Sequence, residues 1–140
     1  SNTVHVVPPV AVLGMGCRKG KDAASIQSAA IECLQEADLY KEALHSIASI
    51  DLKKDEPGLA EFCKAHGWPI TFYSADELRA VPGQFTPSAF VASVTGVDNV
   101  CERSAVKASG GTLFLPKTAG GGVTLALAVR PFAPDWRTEQ

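Results

Sequence analysis

Gly14-Met-Gly-Cys-Arg-Lys-Gly20 packs three glycines and two adjacent cations into seven residues, directly after an apolar run. A turn of this kind frees backbone N–H groups. Where it also opens a helix, those amides can hold a carboxylate or phosphate while Arg18 and Lys19 supply charge. The spacing invites comparison with the dinucleotide fingerprint G-x-G-x-x-G, but the third glycine falls one position late. Asp51 could act as the ribose-binding acid of such a site. It stands about ten residues beyond the usual ~20-residue offset, however, and a Lys-Lys pair follows it. No G-K-[ST] follows the glycines, which excludes a P-loop. An anion-holding loop is the first expectation, with a plain tight turn and a nucleotide site as alternatives.

Two further residues could join that loop. Glu102 follows the turn Thr95-Gly-Val-Asp-Asn99 near the start of a helix, where the dipole favours a carboxylate. It reads either as a cap or surface ion-pair partner or, beside a ligand loop, as a general acid or base. Lys117 sits in the glycine-rich connection Pro116-Lys-Thr-Ala-Gly-Gly-Gly122, from which it could reach a substrate carboxylate or simply be solvated. His45 falls within a strand pattern and is expected as a packed, hydrogen-bonded imidazole; His5 and His66 look peripheral. The four cysteines form no C-x-x-C and meet no histidine at ligand spacing, so neither a metal nor a cofactor is expected. Cys33 and Cys63 read as small buried hydrophobes, whereas Cys17 and Cys101, beside polar loops, stay open.

The elements that must position these residues follow from hydrophobic periodicity. Apolar runs at residues 10–14, 44–50, 70–73, 112–115 and 123–129 read as strands. Between them, Ile26, Ala29, Ala30, Cys33 and Leu34 mark one helical face behind an Asp22 N-cap. Pro57 opens a second helix that closes at Gly67, and Ser74 or Asp76 begins a short third. Residues 88–94 read as another helix, and one more starts near Asn99 and stops at Gly110-Gly111. Strands alternating with helices imply an α/β fold, a three-layer α/β/α sandwich with a mostly parallel sheet whose last two strands can form a hairpin. The division is an N-terminal arm (1–9), one domain (10–130) and a tail (131–140).

Composition narrows the partners. With 13 basic against 15 acidic residues and a net charge of −2, the chain lacks the footprint of a nucleic-acid binder. No stretch nears the ~20 apolar residues of a membrane span and the start lacks a signal-peptide pattern, so no membrane association and a cytoplasmic location are expected. The sequence sets no oligomeric state.

Four segments in this order resemble one family: Gly14-Met-Gly-Cys-Arg-Lys-Gly20; Ile50-Asp-Leu-Lys-Lys-Asp-Glu-Pro-Gly-Leu59; Thr95-Gly-Val-Asp-Asn-Val-Cys-Glu-Arg-Ser-Ala105; and Leu115-Pro-Lys117 before Val123-Thr-Leu-Ala126. They are similar to the C-terminal domain of the cobalamin-biosynthesis protein CbiG, over about residues 10–129. The resemblance implies a role in building the corrin ring and points to Gly14, Gly16, Cys17, Arg18, Gly20, Asp51, Lys53, Glu102 and Lys117. Full-length CbiG opens a lactone on a cobalt-bound ring intermediate and releases acetaldehyde. This chain has no room for the N-terminal region of that enzyme, so the short relative CobE is the nearer expectation. The resulting expectation is a protein that binds a corrinoid, precorrin-type intermediate through Arg18, Lys19 and loop amides and passes it to other cobalamin-pathway enzymes. Lactone hydrolysis, with Glu102 as general base and the loop amides as oxyanion donors, is the alternative.

Overall fold

A computed structural model of the chain describes residues 9–87 and 96–131. The expected helix at 88–94, His5, and all but the inner ends of the expected arm and tail lie outside those residues.

Among the described residues, five strands and four α-helices come from the apolar patterns: β1 (Ala11–Cys17), α1 (Ala23–Glu36), β2 (Leu44–Ile50), α2 (Pro57–His66), β3 (Ile70–Tyr73), α3 (Ala75–Arg79), α4 (Val100–Ser109), β4 (Thr112–Gly120) and β5 (Val123–Val129). The strands form one sheet in the order β3-β2-β1-β5-β4. The α/β expectation holds, but the sheet is parallel only in part. β1 to β2 and β2 to β3 run parallel, whereas β5 lies antiparallel to both β1 and β4. A hairpin partner thus enters the middle of the sheet, beside β1.

Side chains alternate along β1 and so divide between two cores. Leu13, Met15 and Cys17 pack with Ile26 and Cys33 of α1 and Phe62 of α2. Leu13, Met15 and Ile26 are fully buried, each contributing roughly 1.5–3 kcal/mol of hydrophobic stabilisation. On the other face Gly14 lies against Cys101 and Ala105 of α4, and Ile50, Leu78, Val97 and Val100 close a smaller cluster. Helices therefore cover both faces. The expected caps form: Asp22 accepts from Ser25 N at 3.1 Å, Ser74 and Glu77 make a capping box, and Gly67 and Gly110 end their helices at φ 71° and 66°.

Two strands outrun their expected ends. β1 continues past Gly14 to Cys17, pairing Gly14 with Ala126 and Cys17 with Val123. Gly14 is there for closeness rather than for a turn, since a Cβ would stand 1.8 Å from the Cys101 carbonyl oxygen. β4 likewise runs through Pro116 to Gly120, leaving only Gly121 and Gly122 as the turn. Proline is tolerated because β4 is an edge strand and the ladder is irregular there. No helix among the described residues is long and apolar enough to cross a membrane.

Candidate functional site

The C-terminal ends of β1 and β2, the N-terminus of α4 and the β4–β5 turn surround a cleft of about 760 Å³. Its floor is buried and largely apolar, made by Cys17, Ile50, Val100, Cys101 and Val123. Above it stand Arg18 and Lys19, both exposed, with the half-buried Lys53 and Lys117. Among the described residues, every charged side chain lining the cleft is a cation. A site of this kind attracts an anion with an apolar body.

Arg18 follows β1 directly, and its backbone N–H donates to Gly122 O at 2.9 Å, tying the first loop to the hairpin turn. Gly122 has φ 82°, and a Cβ on it would meet the Arg18 side chain at 3.1 Å. Glycine at 122 thus both makes the turn and leaves room for the Arg18 stem. Two further amides of this segment are also engaged: Gly20 N donates to Glu56 Oε1 at 2.8 Å, and Lys21 N to Arg18 O at 3.2 Å. The expected cradle of free amides is therefore narrowed, because Arg18, Gly20 and Lys21 spend their N–H groups on holding the loop. The positive charge facing the cleft comes from side chains.

Of the residues the sequence singled out, Gly16, Cys17, Arg18, Lys19, Lys53 and Lys117 meet in this cleft. Gly14 lies in the sheet, Gly20 braces the loop through Glu56, and Asp51 is exposed in a one-turn 3-10 helix (Asp51–Lys53) without lining the cleft. Reading the sequence missed Asn99, Val100, Cys101, Thr124 and the glycine turn as walls. The signal available was weak: a polar N-cap before α4 and three consecutive glycines, which read equally well as a loose connection.

Glu102 is fully buried and does not line the cleft. Its carboxylate accepts from Thr86 N at 2.9 Å, Thr86 Oγ1 at 2.8 Å and Lys117 N at 2.7 Å. Its own N–H donates to the side chain of Asn99, the α4 N-cap, at 3.1 Å. Burial of this charge is tolerated because three donors and a helix N-terminus face it. It is a brace beneath the cleft rather than a surface cap, and it has no exposed oxygen with which to activate water.

All four cysteines are buried. Burial pushes the Cys101 thiol up to about 12, against a lowering hydrogen bond from Thr124, and raises Cys17, against the opposing Lys53 charge. Burial likewise takes Cys33 and Cys63 up to about 11. The two thiols in the cleft floor are therefore protonated near neutrality and are not thiolate nucleophiles. His45 departs from expectation: it is exposed, although Nδ1 lies 3.0 Å from Ser46 Oγ. It belongs to the other end of β2. His66 stacks on Trp68 at 4.6 Å and reaches Gln27 at 3.0 Å, away from the cleft.

A family model for the cobalamin synthesis G C-terminus matches residues 11–128. The chain is 37% identical over 132 residues to the cobalt-precorrin-5A hydrolase of Priestia megaterium, covering 94% of this chain and 35% of that protein. It is 30% identical over 120 residues to Protein CobE of Sinorhizobium sp, covering 84% and 78%. The crystal structure of CobE, from the cobalamin biosynthetic pathway, matches with a TM-score of 0.79 at 28% identity, covering 93% of this chain and 96% of that one. The chain thus spans about a third of the hydrolases it matches, here and in Salmonella typhimurium.

Proposed function

The chain belongs to the cobalamin synthesis G C-terminus family, and from that membership we propose that its cleft binds a corrin-ring intermediate of cobalamin assembly by the carboxylates around the ring. Such intermediates carry acetate and propionate groups around a broad apolar macrocycle. The observation that carries the proposal is the pairing of four cations, Arg18, Lys19, Lys53 and Lys117, with a buried apolar floor. Charged hydrogen bonds fix the carboxylates, and the floor takes one face of the ring. The ring is then held or passed to another enzyme of the pathway, with a cytoplasmic setting proposed alongside.

Lactone opening with acetaldehyde release, the alternative, draws support from the names of two longer relatives. It fits this cleft less well, since the carboxylate proposed as base is enclosed and the Arg18 and Gly20 amides of the loop proposed to supply oxyanion donors are bonded within the protein.

Titrating the visible absorption of hydrogenobyrinic acid, a corrin polycarboxylate, tests the binding reading. Arg18→Ala should weaken affinity by about 1.5–3 kcal/mol, roughly 10- to 150-fold, and the loss should shrink as salt is added. Equal affinity of the two proteins at low salt would remove Arg18 from the site.

A further inference from the structure

We infer that Glu102 is a positioning residue that aims Lys117 into the cleft, an inference that rests on the binding function proposed above for its effect on affinity. The register of the β4–β5 hairpin shows how. Leu115 pairs with Leu127 and Thr118 with Leu125, so Pro116 and Lys117 together stand opposite Ala126. Two residues facing one is a β-bulge, a device that turns a side chain away from strict alternation. Pro116 has no N–H to give to the ladder, which makes this the natural place for the break.

A bulge disrupts the ladder locally and lets a backbone donor turn to an acceptor outside it. Here Lys117 N donates to Glu102 Oε2 at 2.7 Å, while Oε1 takes Thr86 N at 2.9 Å. Ala126 also pairs with Gly14, whose bare Cα lets α4 approach the sheet, so Glu102 arrives on the face where the bulge opens. The carboxylate therefore takes the Lys117 N–H at the irregular step of the ladder and holds the bulge in the form that makes Lys117 a lining residue. Glu102 acts on the ligand through Lys117 rather than by touching it.

Glu102→Gln keeps the shape of the side chain but presents an amide donor to part of this all-donor set. Nuclear magnetic resonance of the ligand-free protein reads the hydrogen bond directly. The Lys117 amide proton should be shifted downfield and protected from exchange in the parent protein, and should lose both features in Glu102→Gln while β5 amides keep their protection. An unchanged Lys117 amide would overturn the inference, whatever the protein binds. Titration with hydrogenobyrinic acid then reads the consequence. Glu102→Gln and Lys117→Ala should each lower affinity roughly 5- to 30-fold, and the double variant should bind like Lys117→Ala alone. Ser109→Ala, which removes hydrogen bonds at the far end of α4, should bind like the parent. Additive losses in the double variant would overturn the positioning role. A normal Lys117 signature with no corrin binding by the parent would instead sink the proposed function and leave the Glu102 hydrogen bond standing.

Discussion

Glu102→Ala should lower the free energy of unfolding by about 3–5 kcal/mol in urea denaturation. Truncation removes a fully buried side chain that is the shared acceptor of three part-buried hydrogen bonds. Thr86 N, Thr86 Oγ1 and Lys117 N would each lose that acceptor. Leaving a buried donor unsatisfied costs roughly 1–3 kcal/mol, and the cavity left by a fully buried side chain adds to it, whereas the exposed Thr86 can turn its donors to water, so the three bonds do not simply sum. Against a typical domain stability of about 5–15 kcal/mol the variant should be marginal. A loss below about 1 kcal/mol would show that the carboxylate is solvated, and the brace described for α4, Thr86 and β4 would be wrong.

Gly14→Val should be the most damaging single change where the sheet meets α4, costing about 3 kcal/mol or more. The first added atom alone would stand 1.8 Å from the Cys101 carbonyl oxygen and 2.9 Å from Ala105 Cβ. The nearest obstacle is helix backbone, so α4 must lift bodily from the sheet. Because Asn99, Val100 and Cys101 wall the cleft, corrin affinity should fall with stability. Gly20→Ala is the comparison: at φ 80° it strains the loop, but nothing lies within 4 Å of the new atom. Thermal unfolding of the two variants side by side separates overpacking from backbone strain, and equal small losses would contradict the close approach of α4.

The strands legible in the sequence were those whose apolar runs are uninterrupted, such as Leu44–Ile50 and Val123–Val129. The helix ends were legible because Asp22, Pro57, Ser74 and Gly67 act within one turn of themselves. Where the reading failed, the cause was long-range. Gly14 looks like a turn until a helix nearly ninety residues later in the chain is laid on it, and Gly16 until Thr124 of β5 is set against it. Pro116 looks like a stop until β4 is known to be an edge strand. The antiparallel insertion of β5 beside β1 left no local mark either, since a strand buried on both faces reads alike in either direction.

The cleft was half legible for the same reason. Its cations sit in recognisable segments, so Arg18, Lys19, Lys53 and Lys117 could be singled out. What their surroundings do could not. The loop amides looked available because their acceptors, Glu56 Oε1 and Gly122 O, come from other segments. Glu102 looked like a surface cap because its partners Thr86 and Lys117 lie 16 and 15 residues away in the chain. A residue type at a helix start suggests a cap; only packing shows whether its carboxylate faces water or backbone.

The most direct test changes the ligand and leaves the protein untouched. A corrin whose peripheral side chains end in carboxylates should be titrated beside the same ring with those groups converted to uncharged carboxamides, at low and at high salt. If cations in the cleft grip the acid groups, the polycarboxylate should bind more tightly, by roughly tenfold for each carboxylate–cation pair that the carboxamide form cannot make, and the gap should narrow as salt screens the charges. Equal binding of the two rings at low salt would contradict the account, since the apolar floor alone would then explain the affinity.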